Sequence, residues 1–280
     1  MPTLLSLGHG YSARALAPHL IAHGWTVLGT TRSAGTAAEI AATGVTPVVW
    51  PDEVPEAMAR ADHLLTSVAP RDGAEPVLDA FRAEIETNAH RYAWVGYLST
   101  TGVYGDRDGD WVDEDSPLDP STGRGRDRVA AEAGWQAIPG LPLHIFRLAG
   151  IYGPGRGPFA KVREGKARRI VKEGQVFSRI HVEDIAGVLM ASIARPDPGA
   201  VYNVCDDDPA PPQDVIAYAA ALLDLPVPPA VPFDEADLSP MARSFYSESK
   251  RVRNDRMKAL GYKLRYPSYR DGLPALLDAD

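Results

Sequence analysis

The amino-acid sequence predicts an α/β fold, a doubly wound parallel sheet of seven strands with a smaller lobe at the C-terminal end. The first observation is an apolar run at residues 3–7 that ends in glycine and is followed at once by a helical pattern. The second is the alternation of apolar runs with helical patterns along the chain, which is typical of parallel strands joined by right-handed crossovers. The predicted strands are residues 3–7, 25–30, 45–50, 62–68, 92–98, 143–148 and 201–204.

The composition is that of a globular protein with one large α/β unit, or a core with a smaller lobe. The chain has 280 residues, of which 45% are hydrophobic and 24% charged, and a chain of this kind buries a full apolar core. Its net charge of -8 argues against a nucleic-acid surface, which needs a basic stripe. We therefore expect a small-molecule partner and no nucleic acid.

The cellular compartment is predicted from cysteine content and from the start of the chain. Cys205 is the single cysteine, so the chain cannot form an internal disulfide, which favours a reducing compartment. The first residues lack the basic region of a signal peptide, and no apolar run is long enough to span a bilayer. The sequence predicts a cytoplasmic protein without a membrane partner.

The segment after the first strand has the spacing of a dinucleotide-binding turn. Gly8, Gly10 and Ala13 stand in a G-x-G-x-x-A pattern. In such a turn the first glycine permits a tight bend, the second lets the backbone approach a pyrophosphate, and the third small residue keeps helix and strand close. The predicted cofactor contacts in this turn are Gly8, His9, Gly10, Tyr11, Ser12 and Ala13. The alternative is an ordinary tight turn between a strand and a helix.

The residues after the second and third strands indicate which dinucleotide would bind. Thr31, Arg32 and Ser33 occupy the place where an NAD-preferring fold puts an acid on the ribose 2′-hydroxyl, and the next acid is Glu39. An arginine there suits a 2′-phosphate. The sequence therefore favours NADP over NAD, with a solvated surface arginine as the alternative. Asp52 either faces the adenine or begins a turn.

The remaining segments set the predicted domain boundaries. Residues 74–89 and 122–138 are helical in pattern, whereas residues 106–120 hold seven Asp or Glu between Gly and Pro, which predicts a surface loop and not a strand. From about residue 206 prolines divide the chain into short pieces. We place a dinucleotide-binding domain at residues 1–204 and a smaller substrate lobe at residues 205–280. Residues 155–176 fit either part.

Several separated motifs extend over nearly the whole chain. They are the glycine turn, Ser99-Thr100-Thr101-Gly102-Val103-Tyr104-Gly105, Arg147-Leu148-Ala149-Gly150-Ile151-Tyr152-Gly153-Pro154-Gly155-Arg156, Arg179-Ile180-His181-Val182-Glu183-Asp184-Ile185-Ala186, Tyr202-Asn203-Val204, Ser249-Lys250-Arg251 and Leu260-Gly261. With them the chain resembles the extended short-chain dehydrogenase/reductase superfamily, in its epimerase/dehydratase branch. The glycine spacing resembles that of the atypical members. The resemblance implies a Rossmann fold that binds NADP or NAD.

The resemblance also implies a catalytic site, from which this sequence departs. In the superfamily a Ser or Thr orients the substrate, a Tyr exchanges a proton with it, and a Lys four residues later assists that Tyr and holds the ribose. Thr100 matches the first position, but Arg124 and Arg128 stand at the Tyr and Lys positions. Residues 105–151 contain no Tyr and no Lys. A guanidinium does not deprotonate near neutral pH, so Arg124 cannot exchange the proton, whereas Arg128 can contact the ribose as a cation.

Two hypotheses about function follow. In the first, the protein is an NAD(P)-dependent oxidoreductase or an epimerase/dehydratase-like enzyme for a small carbonyl, alcohol or sugar-like substrate, with Thr100 as the orienting group and Tyr104 or Tyr152 as the proton donor. The predicted substrate pocket consists of Thr101, Arg124, Tyr152 and Arg156. In the second, it is a non-catalytic NADP-binding or redox-sensing protein.

We expect no metal site, because the seven histidines are scattered without ligand spacing. Assembly is predicted from the two helices at 74–89 and 122–138, which correspond to the pair that forms a dimer interface in the superfamily. Phe81, Ile85, Val129 and Ala133 suit such an interface or, alternatively, the protein's own sheet. On this basis the sequence predicts a homodimer.

Overall fold

The structure, a computed structural model, describes residues 1–277 and is built around a seven-stranded parallel sheet. Its strands, numbered here in chain order, are β1 Thr3–Leu7, β2 Thr26–Thr31, β3 Thr46–Val49, β4 His63–Thr66, β5 Trp94–Thr100, β6 Leu143–Leu148 and β7 Val201–Val204. Across the sheet their order is β7-β6-β5-β4-β1-β2-β3, and all neighbours run parallel. The predicted fold class and all seven predicted strands are confirmed.

Helices cover both faces of the sheet and fill the connections. They are α1 Tyr11–Ala22, α2 Ala34–Ala41, α3 Val54–Arg60, α4 Pro76–Asn88, α5 Gly123–Gln136, α6 Phe159–Arg163, α7 Val182–Ala194, α8 Pro212–Leu222, α9 Pro240–Phe245, α10 Asp255–Ala259 and α11 Tyr269–Gly272. Single 3-10 turns lie at Ala89–Arg91, Thr101–Tyr104, Phe233–Glu235 and Pro274–Leu276. Every residue of β4 and β6 is buried, as expected for strands covered on both faces.

Alternate residues of each strand supply two apolar layers. Leu4 packs with α1 and α7 on one face, whereas Leu5 and Leu7 pack with α3, α4 and α5 on the other, because successive side chains of a strand point to opposite faces. Phe81 and Ile85 belong to the second layer and are buried within the chain. Phe81 and Ile85 therefore pack on the protein's own sheet and not in a dimer interface. The homodimer stays a prediction.

Three short pairs of parallel strands lie outside the main sheet. They are Gly150–Tyr152 with Arg179–His181, Arg169–Val171 with Ala230–Pro232, and Trp111–Val112 with Arg251–Val252. The last pair corrects one expectation, since the acidic segment 106–120 contains a short strand. Residues 251–252 lie far along the chain and provide pairing that no local pattern could reveal.

A third apolar cluster lies beyond the main sheet. It combines Tyr152, Phe159 and Val162 with later residues such as Val215 and Tyr269. Residues on both sides of the proposed 204/205 boundary thus share one cluster, and the boundary itself stays a prediction. Residues 278–280 of the proposed C-terminal lobe lie outside the described residues.

Among residues 1–277, no helix combines the length and the apolar character needed to cross a membrane.

Candidate cofactor and substrate site

The glycine turn joins β1 to α1 and is fastened to two neighbouring strands. Gly8 has φ +82°, and a Cβ placed on it would lie 2.9 Å from Val68 Cγ2, so only glycine fits without strain. Its N–H donates to Thr30 Oγ1 at 2.7 Å. The hydroxyl of Ser67 donates to the Gly8 carbonyl oxygen. The turn is therefore held in place by the ends of β2 and β4.

The N-terminal end of α1 is built to receive an anion. Gly10 precedes the helix and offers no side-chain acceptor, and the first turn contains no acidic residue. By contrast, Ser33 and Thr122 cap the starts of α2 and α5 with their hydroxyls. The first N–H groups of a helix and its dipole favour negative charge when no side chain neutralises them. The geometry of this turn fits a pyrophosphate.

Two polar residues of the turn, His9 and Ser12, are buried. The His9 ring packs against β2, since a Cβ on Gly29 would lie 2.8 Å from His9 Cγ. Burial, reinforced by Arg14, lowers the pKa of His9 to about 4, so this imidazole is neutral at pH 7. It packs the turn against the sheet and adds no charge.

The residues predicted to select the dinucleotide lie at the ends of β2 and β3, beside the glycine turn. Thr31 is buried and its hydroxyl donates to the Ser33 carbonyl at 3.3 Å. Arg32 is exposed and makes no hydrogen bond or ion pair within residues 1–277. Asp52 is likewise exposed, in the turn after β3. The charged groups of Arg32 and Asp52 are thus accessible at the carboxyl edge of the sheet, where open α/β sheets bind ligands.

The glycine turn contacts the loop after Tyr152 directly. Tyr11 Oη donates to the Pro154 carbonyl oxygen at 3.0 Å, and the Arg156 guanidinium lies 5.5 Å from the centre of the Tyr11 ring. Paired backbone hydrogen bonds between Gly153 and Arg156 close this loop into a tight turn. The predicted cofactor residue Tyr11 and the predicted pocket residue Arg156 therefore lie side by side.

A cavity of about 270 Å³ adjoins this contact. Its walls include Tyr152, Arg156, Arg179, Val215, Tyr269 and Leu273. Tyr152 Oη donates to the Ser268 carbonyl oxygen at a long 3.3 Å. Burial, followed by the charge of Asp206, raises the pKa of Tyr152 far above its usual range, so its phenol is protonated at neutral pH. In the sequence, Arg179 stands out only as part of a family-like motif, and nothing there indicates that it lines this cavity.

Thr100 and Thr101 lie where β5 ends. Thr100 Oγ1 accepts a hydrogen bond from the Gly102 N–H at 3.1 Å, which orients the hydroxyl and leaves its own proton available to another acceptor. Thr101 begins the following 3-10 turn, and both threonines are only partly buried. The geometry suits a group that donates a hydrogen bond to a substrate oxygen.

Tyr104 lies in a different environment, inside a buried polar network. Its exposed fraction is 0%, its hydroxyl donates to Asn203 Oδ1 at 2.7 Å, and the same oxygen accepts from Arg147 Nη1 at 2.9 Å. Burial raises its pKa to about 12 although Arg147 opposes the shift. Because this hydroxyl is already engaged and has no access to a ligand, we assign Tyr104 a structural role. Of the two candidate proton donors, Tyr152 is the one that lines the cavity beside the glycine turn.

Arg124 and Arg128 occupy the first two turns of α5 and behave differently. Arg124 is exposed and has no hydrogen-bond or ionic partner in the described part of the chain. Arg128 is partly buried, and its Nη1 donates to the Leu98 carbonyl at 2.7 Å and to Tyr97 Oη at 2.9 Å. Arg128 therefore fastens α5 to β5 through one nitrogen, and its Nε and Nη2 make no hydrogen bond to residues 1–277.

Asp206, which the sequence did not single out, is a buried carboxyl group near this site. Its exposed fraction is 1%, and its Oδ2 has no hydrogen-bond partner among the described residues. Burial raises its pKa from 3.8 to about 8, although the charge of Arg179 opposes the shift. The folded protein therefore keeps a proton on Asp206 at pH values where the unfolded chain has released it.

This difference predicts a pH dependence of stability. Between about pH 4 and pH 8 the folded state binds the extra proton, so the free energy of unfolding should fall as pH rises, by at most about 1.4 kcal/mol per pH unit from this group. Asp206→Asn should flatten that slope in urea unfolding measured across this range, while Asp214→Asn, an exposed carboxylate on α8, should leave it as in the wild type. Equal slopes for the wild type and Asp206→Asn would contradict the assignment.

Among residues 1–277, no three or more His, Cys, Asp or Glu side chains are grouped so that they could hold a metal ion.

The order of the sheet and the position of the glycine turn define the class of protein. The two halves of the sheet diverge from β1, and the glycine turn, Arg32, Thr100 and Tyr152 follow strands at its carboxyl edge. This is the architecture of a dinucleotide-binding Rossmann fold.

Comparisons with known proteins place the chain more narrowly. No protein-family model matches it. Protein YeeZ of Escherichia coli K12 is 32% identical over 242 residues, which cover 81% of this chain and 86% of YeeZ. The 3-diazoavenalumate denitrifying reductase of a Streptomyces species is 29% identical, with 79% of this chain and 74% of the reductase covered.

Two solved structures have the same fold over nearly their whole length. A conserved protein of unknown function from Silicibacter pomeroyi is 63% identical, with a TM-score of 0.94 and coverage of 99% of this chain and 98% of its own. A protein of Methylobacillus flagellatus assigned as an NAD-dependent epimerase/dehydratase is 27% identical, with a TM-score of 0.76 and the same coverage. The chain belongs to the extended short-chain dehydrogenase/reductase family, in its NAD-dependent epimerase/dehydratase branch, as its motifs predicted.

Proposed function

We propose that this protein is an NAD(P)-dependent oxidoreductase that acts on a small carbonyl or alcohol substrate. The observation that carries the proposal is the contact between the glycine turn and the cavity, through Tyr11 and Arg156. A cofactor held on the turn and a substrate held in the cavity would be neighbours. The names of two relatives, a reductase and an NAD-dependent epimerase/dehydratase, support the same reaction class.

The cofactor would be held by the segment from Gly8 to Ala13 and by cations around it. The N-terminal end of α1 would receive the pyrophosphate, because its capping residue supplies no acceptor. The unpaired donors of Arg128 would contact the ribose near the end of β5. Asp52 would lie at the adenine end, beyond β3. Arg32 would bind a 2′-phosphate, because its guanidinium is exposed and carries no competing ion pair among the described residues.

Charge reversal at Arg32 tests the choice of dinucleotide. Arg32→Glu should weaken NADPH binding by about tenfold or more, because a charge-assisted hydrogen bond is replaced by repulsion, and should weaken NADH binding much less. Calorimetric titration of both cofactors measures the two effects, and Arg168→Glu, the same charge reversal at another exposed arginine, controls for net charge. Equal losses for the two cofactors would exclude a 2′-phosphate contact at Arg32.

The reaction needs a hydride and, for a carbonyl substrate, a proton. The hydride would come from a reduced nicotinamide bound at the glycine turn. Thr100 would orient the substrate oxygen by donating its free hydroxyl proton. As the carbonyl π electrons move to that oxygen, Tyr152 would give it the phenolic proton, and water would restore the phenol. The long hydrogen bond from Tyr152 to Ser268 is one that a substrate oxygen can replace. The predicted pocket residues Thr101 and Arg124 would line the part of the pocket next to Thr100.

A second candidate function is supported by one observation. Arginines stand at the positions of the usual Tyr and Lys, and Arg128 is fastened to β5, which suits a protein that binds NADP to sense its redox state without turnover. A screen of small aldehydes, ketones and keto acids, followed by nicotinamide absorbance, separates the two. Oxidation of NADPH that depends on one substrate class supports the oxidoreductase, whereas tight NADPH binding without turnover across the panel supports the sensor.

A further inference from the structure

The cavity beside Tyr152 carries more positive than negative charge. Two guanidinium groups, those of Arg156 and Arg179, belong to its walls. No carboxylate is among the residues that line it. The remaining walls are phenol rings and aliphatic side chains, including Tyr269, Val215 and Leu273.

Arg179 is held rigidly and keeps donors to spare. Its Nη1 donates to the Phe177 carbonyl at 2.8 Å and to the Ala210 carbonyl at 3.0 Å. No residue in 1–277 accepts a hydrogen bond from its Nε or Nη2. A guanidinium fixed through one nitrogen presents its other donors in a planar fork, which matches the oxygens of a carboxylate or a phosphate.

Arg156 adds a second cation at the mouth of the cavity. Its backbone is fixed in the turn with Gly153, and its guanidinium rests near the Tyr11 ring. Its side chain makes no hydrogen bond or ion pair to the residues that the structure describes. It can therefore turn from the ring to a bound anion without breaking an ion pair.

Two carboxyl groups, those of Asp206 and Asp208, act electrostatically on Arg179, but neither forms an ion pair with it among the described residues. Asp206 lies close to Arg179, but burial raises its pKa to about 8, so it is mostly uncharged at neutral pH. Asp208 pairs instead with Arg270, at 3.4 Å. A partly enclosed site whose wall holds two guanidinium groups with spare donors and no carboxylate favours an anionic ligand.

The size of the cavity limits what that anion can be. Its volume of about 270 Å³ lies just below the range of ~300–1,000 Å³ that is usual for ligand pockets. A sugar nucleotide, with two phosphates, two sugars and a base, is far larger. A single small acid with an aromatic or aliphatic body matches both the volume and the mixed walls.

We propose that Arg179 and Arg156 bind the carboxylate or phosphate group of a small substrate whose apolar body lies among Tyr152, Tyr269, Val215 and Leu273. The identification of this ligand as the substrate rests on the proposed oxidoreductase function, whereas the anion site itself does not. On this volume, we do not expect the cavity to enclose a sugar nucleotide. Arg179 determines the specificity of this site for acids over neutral compounds.

Binding of small probes to the protein without cofactor tests the anion site separately from turnover. Ligand-observed NMR and calorimetry are used to titrate four compounds: benzoate, its neutral analogue benzamide, phenyl phosphate and UDP-glucose. We expect benzoate or phenyl phosphate to bind at least tenfold more tightly than benzamide. The tighter of the two identifies the acidic group. UDP-glucose should not displace either.

Variants test whether the two arginines recognise the anion. Arg179→Gln should weaken binding of the preferred anion at least tenfold and leave benzamide unchanged. Arg156→Gln, at an exposed position, serves as the second variant if Arg179→Gln does not fold, and should weaken binding several-fold. Arg168→Gln should bind as the wild type does.

Three results would overturn the proposal: no binding of either anion, equal binding of benzoate and benzamide, or displacement of the anion by UDP-glucose. Unchanged anion binding in both Arg179→Gln and Arg156→Gln would overturn it as well. Anion binding without any NADPH oxidation would instead leave the site in place and count against the oxidoreductase function.

Discussion

Replacing Arg147 by methionine is expected to lower the free energy of unfolding by about 3–5 kcal/mol. Arg147 on β6 and Glu132 on α5 form a buried ion pair, with exposed fractions of 5% and 2%. Arg147 Nη2 lies 2.8 Å from Glu132 Oε2, and Nε lies 3.2 and 3.3 Å from the two carboxylate oxygens. Without the guanidinium, the buried carboxylate keeps one partner within residues 1–277, the hydroxyl of Ser99.

Urea unfolding of the wild type and the variant measures this loss. A matched control is Arg82→Met, because Arg82 and Glu86 form an exposed pair at 3.4 Å on α4, and such pairs contribute about 0.5 kcal/mol or less. If the free energy of unfolding fell in Arg147→Met by no more than about 1 kcal/mol beyond its fall in Arg82→Met, the buried network would not depend on the Arg147–Glu132 pair.

Tyr152→Phe is expected to lower kcat by about 100-fold or more, since general acid catalysis by a positioned group contributes roughly 10²–10⁴. Tyr104→Phe is the contrasting variant. It removes a hydroxyl that bonds both Asn203 and Arg147 inside the protein, so it should destabilise folding by about 1–3 kcal/mol and leave kcat close to that of the wild type.

Steady-state rates with the best substrate of the carbonyl screen, together with urea unfolding, separate these roles. The assignment fails if Tyr152→Phe retains full kcat, or if Tyr104→Phe loses activity while its stability is unchanged. Thr100→Ala should raise KM and lower kcat moderately, because it removes an orienting hydrogen bond and not the proton itself.

The fold was predictable because its signals are local. The apolar run before Gly8, the helical pattern after it and the buried runs of β5 and β6 each occupy a few consecutive residues. Hydrophobic periodicity and glycine geometry depend on neighbours in the sequence. The family resemblance depends on the same short motifs, so it too could be recognised before the structure.

The substrate side was less predictable because its residues come together only in three dimensions. Tyr104 belongs to a motif that suits catalysis, yet Asn203 on β7 and Arg147 on β6 engage its hydroxyl inside the protein. Arg179 and Asp206 have no distinguishing spacing, and their roles arise from burial and from the third apolar cluster. The short strand at Trp111–Val112 likewise depends on a partner about 140 residues away.

Calorimetric titration of the purified protein with NADPH and NADH decides whether the glycine turn is a cofactor site. The wild type should bind one dinucleotide per chain. Gly8→Ala should weaken binding strongly, because the new Cβ meets Val68 and displaces the turn. Gly24→Ala is the matched control, since Gly24 has a similar φ of +79° with open space around it, and it should bind as the wild type does. Absence of binding by the folded wild type, or equal binding by both variants, would contradict a cofactor site at the glycine turn.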